Sequence, residues 1–141
     1  MKNPEFIVFT GPMFGSKTTR MLAVLERYSY QNRRAIAFKP KMDDRYEEGE
    51  ICTHAGLKFP AINVTNGDEI LASSRDYDVI GIDEAFMIDD CATVLIELFK
   101  QGKTIVVSSI QISASGNVFH EVKEMLPWAT KIEVCPAVCV K

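Results

Sequence analysis

Long hydrophobic runs are missing from this sequence. No stretch approaches the ~20 apolar residues that cross a bilayer as a helix. The start, MKNPEFIVF, lacks the charged n-region, apolar h-region and cleavage site of a secretory signal. An excess of basic charge is missing too. Sixteen Lys and Arg stand against 19 Asp and Glu, a net charge of −3, so no basic face offers itself to nucleic acid. There is one tryptophan, there are two histidines, and there is no internal repeat, low-complexity tract or long linker. These absences predict a cytoplasmic protein with neither membrane nor nucleic acid as partner. In that compartment Cys52, Cys91, Cys135 and Cys139 are expected as thiols, the first two structural. What is present is 141 residues, 47% hydrophobic and 25% charged, enough for one compact domain with a real core.

Apolar runs alternate with helical patterns along the chain. FIVFT (6–10) is a short continuous apolar run, as in a strand buried on both faces. SKTTRMLAVLERYSYQ (16–31) carries Met21, Leu22, Leu25 and Tyr28 at helical spacing. RAIAFK (34–39) predicts a strand stopped by Pro40, ICTHAGLKF a small hairpin, and PAINV (60–64) a short strand. GDEILASSR (67–75) starts like a helix, with acids in its first turn. YDVIGID (77–83) and KTIVVSS (103–109) predict strands on either side of an amphipathic helix at 89–102 that ends at Gly102. A helix at 118–126 and a strand at 130–134 complete the series. Strands alternating with helices indicate βαβ units, hence an α/β class with an open, mostly parallel sheet and helices on both faces. Ligands of such sheets bind at the carboxyl ends of the strands. That places interest after Thr10, after Lys39 and at Asp83–Glu84.

The first of these places holds GPMFGSKT (11–18). A phosphate-binding loop has the pattern G-x-x-x-x-G-K-[ST], in which successive backbone N–H groups curl around an anion at a helix N-terminus. Gly11, Lys17 and Thr18 are in place, but Gly15 and Ser16 are exchanged relative to the pattern. Pro12, Met13, Phe14, Gly15 and Ser16 would then wrap the phosphates, since Ser16 still supplies an N–H. Lys17 would bridge the outer phosphates and Thr18 would ligate magnesium. The context of buried strand, turn and helix is the one the motif demands.

VIGIDEA (79–85) drives four apolar residues into Asp83. An acid at a strand end can hold magnesium opposite the Thr18 hydroxyl, and Glu84 beside it can take a proton from an attacking hydroxyl. An Asp-Glu pair after a strand is common by itself. Its order after a phosphate loop in one chain is that of nucleotide-binding proteins. In KPKMDDRY (39–46), Asp43 and Arg45 have the spacing to grip a ligand or each other, though physics alone favours a solvated loop. His54 and His120 each stand alone, without a nearby nucleophile or second ligand. Cys135 and Cys139, with three residues between them, are a weak metal signal.

Taken in order, these segments resemble the thymidine kinases that combine a phosphate loop with a zinc ribbon. That family has G-P-M-F-S-G-K-[ST]-T, against GPMFGSKTT here; K-P-x-x-D-x-R-Y, matched by Lys39, Pro40, Asp43, Arg45 and Tyr46; and I-D-E-[GA]-Q-F-F, against IDEAFMI. A T-H-x-G element, GKTIVV and a terminal AVC follow the family order, so the resemblance runs over residues 5–141. It implies a P-loop (RecA-like) fold and transfer of the γ-phosphoryl of ATP to the 5′-hydroxyl of thymidine, giving dTMP. Glu84 would be the general base, Lys17 the phosphate clamp, and Thr18 with Asp83 the magnesium site. Arg45 would act at the reacting centre. Met13, Asp43, Arg45, Phe86, Ile110 and Phe119 would line the nucleoside. The resemblance also implies feedback inhibition by dTTP and a homotetramer.

Departures from the family are specific. Its glutamine after D-E-[GA] is Phe86 here, and an aromatic position of its thymine pocket aligns with Ala114. In the domain division expected from the resemblance, residues 1–134 form the kinase domain and 135–141 begin a truncated zinc ribbon. Only Cys139 matches a family zinc ligand, so zinc is not expected in these 141 residues. Two alternatives stay beside the kinase: a nucleotide-binding module without turnover, because the substrate-closing loop is missing, and a phosphate-loop NTPase acting on a macromolecular partner.

Overall fold

In the computed structural model, residues 3–11, 17–41, 50–52, 58–109 and 120–135 are described. Seven strands form one sheet: β1 (Phe6–Thr10), β2 (Ala35–Pro40), β3 (Glu50–Cys52), β4 (Lys58–Val64), β5 (Val79–Asp83), β6 (Thr104–Ser108) and β7 (Lys131–Val134). Their order is β3-β4-β2-β5-β6-β1-β7. Six are parallel, and β3 alone runs antiparallel, beside β4. Four helices complete the chain: α1 (Lys17–Tyr30), α2 (Gly67–Ser73), α3 (Cys91–Lys100) and α4 (His120–Met125). This is the open, mostly parallel α/β sheet that the alternation of segments predicts, with the β3–β4 hairpin where ICTHAGLKF placed it.

The apolar strands have two buried faces, and two clusters of core residues separate along them. Phe6 and Val8 of β1 pack with Ile80, Ile82, Ile105 and Val107 against α2, α3 and α4. Ile7 and Phe9 turn the other way, to Met21, Leu22, Val24 and Leu25 of α1. Burial of every residue in β1, β5 and β6 leaves no register in which a polar face would meet water. Gly81 lies directly under α1. A Cβ there would stand 2.6 Å from Leu25 Cδ1, so its absence lets the helix seat closely on the sheet.

Helix placement follows from the right-handed crossover rule. From β1 the chain moves through α1 towards β2. The later connections, through α2, α3 and α4, move in the opposite direction across the sheet. Right-handedness then requires α1 on one face and the other three helices on the opposite face, as the clusters show. The direction reverses at β1, so the carboxyl end of β1 is the topological switch point, where such sheets bind ligands. Pro40, expected to stop β2, is instead its last residue. A proline has no N–H to give, but here the ladder is closed by Lys41 N–H donating to Val64 O at 2.9 Å, so none is needed at the strand end.

Candidate active site at the carboxyl edge of the sheet

Sequence order delivers Lys17 and Thr18 to the first turn of α1, directly after the switch point. The central strand β5 delivers Asp83 to the same edge. Across 65 positions of chain the Thr18 hydroxyl donates to Asp83 Oδ1 at 2.9 Å. Asp83 is fully buried and Lys17 is buried as well. Burial pushes the Lys17 ammonium below its ordinary value of 10.5, while Cys135, Asp83 and Glu84 push it back up. Lysine and two acids thus share one desolvated corner.

Glu84 adopts a left-handed conformation, with φ 51° and ψ 50°. A non-glycine residue there carries backbone strain, of a kind that concentrates at functional sites. The turn that holds it is well tied. Met87 N–H donates to Glu84 O at 3.0 Å, Ile88 N–H to Ala85 O at 3.1 Å, and the buried Cys91 thiol to Ala85 O at 3.3 Å. Burial holds that thiol well above its usual range, so it stays a neutral donor. Glu121 of α4 accepts from Asp90 N–H at 3.2 Å and Ala92 N–H at 2.9 Å, capping α3 and closing the far side of the turn. Phe86 lies within this turn, half-buried, and its N–H donates to Ser109 Oγ at 3.3 Å.

Gly11 carries φ 141°, and a Cβ on it would fall 2.2 Å from the carbonyl oxygen of Cys135. Here the pattern's first glycine is required by a close backbone approach. The same corner is fastened by Cys135 N–H donating to Thr10 O at 2.7 Å, and by an ion pair between Arg20 of α1 and Glu133 of β7.

Among the expected site residues, Gly11, Lys17, Thr18, Asp83, Glu84 and Phe86 are therefore gathered at one edge. Pro12, Met13, Phe14, Gly15, Ser16, Asp43, Arg45, Ile110 and Phe119 lie outside the described residues, as do Ala114, His54 and Cys139. His120 is exposed, with Nδ1 4.0 Å from Glu124. Sequence reasoning missed Lys39, fully buried at the end of β2, and the buried hydroxyls of Thr10, Ser108 and Ser109. Their signal was present but local: each is a polar residue at the carboxyl end of an apolar strand.

The donor set suits magnesium. A hydroxyl and a carboxylate oxygen are hard oxygen ligands, and magnesium completes its shell with phosphate oxygens and water. Among the described residues no group of three or more His, Cys, Asp or Glu side chains gathers to hold a metal ion. A nucleotide-bound magnesium needs none. No helix of the described residues is long and apolar enough to cross a membrane.

Residues 5–141 match the family model described as Thymidine kinase. Curated relatives named thymidine kinase include those of Thermococcus kodakarensis, 36% identical over 94% of this chain and 71% of the relative, and Pyrobaculum aerophilum, 34% identical over 94% and 74%. That of Coprothermobacter proteolyticus is 32% identical over 94% of this chain and 67% of the relative. In fold alone, the chain is similar to the crystal structure of the flagellar accessory protein FlaH from Methanocaldococcus jannaschii, with a TM-score of 0.60 at 12% identity over 95% of this chain and 72% of that one.

Proposed function

The chain belongs to the thymidine kinase family and is a nucleoside kinase; on that premise we propose that it transfers the γ-phosphoryl of ATP to the 5′-hydroxyl of thymidine, giving dTMP. The observation that carries this reading is the 2.9 Å bond from Thr18 to Asp83, with Lys17 and Glu84 beside it. Bound magnesium would be held by Thr18 and Asp83 and would neutralise charge on the β- and γ-phosphates. Lys17, buried against the two acids, clamps the outer phosphates from the start of α1. Glu84 accepts the proton of the attacking hydroxyl, and the tied turn keeps its carboxylate aimed. Arg45 and Asp43, on the segment after β2, complete the reacting centre. Gly11, Pro12, Met13, Phe14, Gly15 and Ser16 wrap the phosphates, while Met13, Phe86, Ile110 and Phe119 line the nucleoside. Residues 1–134 form this kinase unit, and 135–141 begin a ribbon. A cytoplasmic site, a homotetrameric state and inhibition by dTTP belong to the same reading.

Incubation with ATP, magnesium and labelled thymidine tests it. Labelled dTMP is expected, and its absence under conditions where ATP binds overturns the reading. The chain spans 67–74% of the lengths of these relatives. A second reading is nucleotide binding without turnover. Calorimetric binding of ATP with no phosphoryl transfer would select it.

A further inference from the structure

Asp83 ends β5, and strand geometry sends consecutive positions to opposite faces. Asp83 takes the α1 face, where Thr18 meets it. The register places Ser108 beside Asp83 and Phe9 beside Ser108. One step further along, positions 109 and 10 form the next row, across β6 and β1, while Glu84, left-handed at φ 51°, lies just past the end of β5. This row belongs to the opposite face, because Phe6 and Val8 of β1, and Ile105 and Val107 of β6, all pack on the α3–α4 side. The edge is thus divided. Asp83 and Thr18 serve the phosphate donor on one side, and Thr10 and Ser109 stand on the other, where Ser109 Oγ accepts from Phe86 N–H in the turn that follows Glu84.

Thr10 is 1% exposed, and its hydroxyl, buried from solvent, has no hydrogen-bond partner among the described residues. Burying an unsatisfied hydroxyl is unfavourable. In the run FIVFT a valine would fill the same volume without that penalty. Ser109, also 1% exposed, differs: its Oγ accepts from Phe86 N–H at 3.3 Å, and its own N–H donates to Phe9 O at 3.1 Å. It thereby ties the Glu84 turn to β1. From Thr10 the chain runs into the phosphate loop, and from Ser109 into residues 110–119, which carry the expected nucleoside contacts.

We propose that Thr10 and Ser109 form a polar floor on the acceptor side of the site, and that the Thr10 hydroxyl hydrogen-bonds the bound nucleoside. The inference rests on the kinase reading and adds to it a specificity-determining contact. An acceptor whose hydroxyl must reach Glu84 lies beside the turn that Ser109 holds. A buried hydroxyl in the row discriminates by being left unsatisfied whenever the wrong group, or none, is opposite it.

The test compares Thr10→Val, Thr10→Ser and the unaltered protein, with thymidine and ATP varied separately and thermal unfolding measured without ligand. Thr10→Val is expected to raise the KM for thymidine at least about tenfold, leave the KM for ATP within twofold, and leave Tm unchanged or higher. Thr10→Ser is expected to restore the thymidine KM. A hydroxyl with only a structural role would instead lower Tm on removal. An unchanged thymidine KM, an equal rise in the KM for ATP, or a Tm loss without rescue by serine overturns the inference. If the unaltered protein phosphorylates no thymidine, the kinase reading fails, and this inference with it.

Discussion

The Thr18 hydroxyl donates to Asp83 Oδ1 at 2.9 Å, joining the first turn of α1 to the end of β5. Two residues 65 positions apart in sequence thereby become hydrogen-bonded neighbours. If that pair holds magnesium, Thr18→Val should lower kcat by about 10²–10³, the range for losing one preorganised transition-state contact. Thr18→Ser should retain most turnover. Initial rates over a magnesium titration check this, and equal loss in both variants would point to packing instead.

Glu84, proposed as the general base, has a strained, left-handed backbone. Glu84→Gln should lower kcat by about 10²–10⁴ while ATP binding persists. Glu84→Gly should also abolish turnover, yet raise stability by about 1 kcal/mol, because glycine accepts a left-handed φ without strain. Calorimetric unfolding of the glycine variant should show a Tm higher by a few degrees. A lower Tm would mean the turn is not strained.

Lys17 is held below 10.5, chiefly by burial. Its proton is therefore lost in the folded protein at a pH where the unfolded chain still keeps it. The unfolded state binds more protons across that window, so stability of the empty protein rises with pH there. ATP affinity moves oppositely, since phosphates attract the charged form. Affinity should fall on the alkaline side before an ordinary lysine would titrate, and Lys17→Arg should move that fall to higher pH. Lys17→Met should raise the Tm of the empty protein and remove ATP binding. Titration calorimetry across pH, beside thermal unfolding, reads both signs.

Gly11→Ala should be among the more damaging small substitutions. Its Cβ would stand 2.2 Å from the Cys135 carbonyl oxygen, at a φ of 141°. Relief requires breaking the 2.7 Å bond from Cys135 N–H to Thr10 O, at the point where β7 joins β1. A loss of roughly 2 kcal/mol or more is expected. Chemical denaturation measures it, and a loss under 0.5 kcal/mol would show that the corner is slack.

Much of the fold is legible in the sequence, because continuous apolar runs such as FIVFT and TIVVS can be satisfied only by strands covered on both faces. The limits of α1 and α3 follow from the helical spacing of their buried residues, and Gly102, at φ 96°, ends α3 as a glycine after a helix should. Pro40 was less legible. A proline breaks a strand interior, but at a strand's end its missing N–H is not needed.

The chemistry of the site was also written locally. That Gly11, Lys17, Thr18, Asp83 and Glu84 would gather at the carboxyl edge of the sheet was readable from spacing, because each ends or directly follows a continuous apolar strand or starts the helix after it. Which residues share a face was not readable. That depends on register between strands distant in sequence: Asp83 against Ser108, Ser108 against Phe9. A slip of one residue would carry Thr10 to the α1 side and Asp83 away from Thr18. The left-handed turn at Glu84 and the cap from Glu121 likewise arise where α4 packs on α3. Sequence alone determined the elements and the reactive groups, because hydrophobic period and motif spacing act over a few residues. Tertiary structure decided which groups meet, because registry and burial are settled only when the whole sheet closes on its helices.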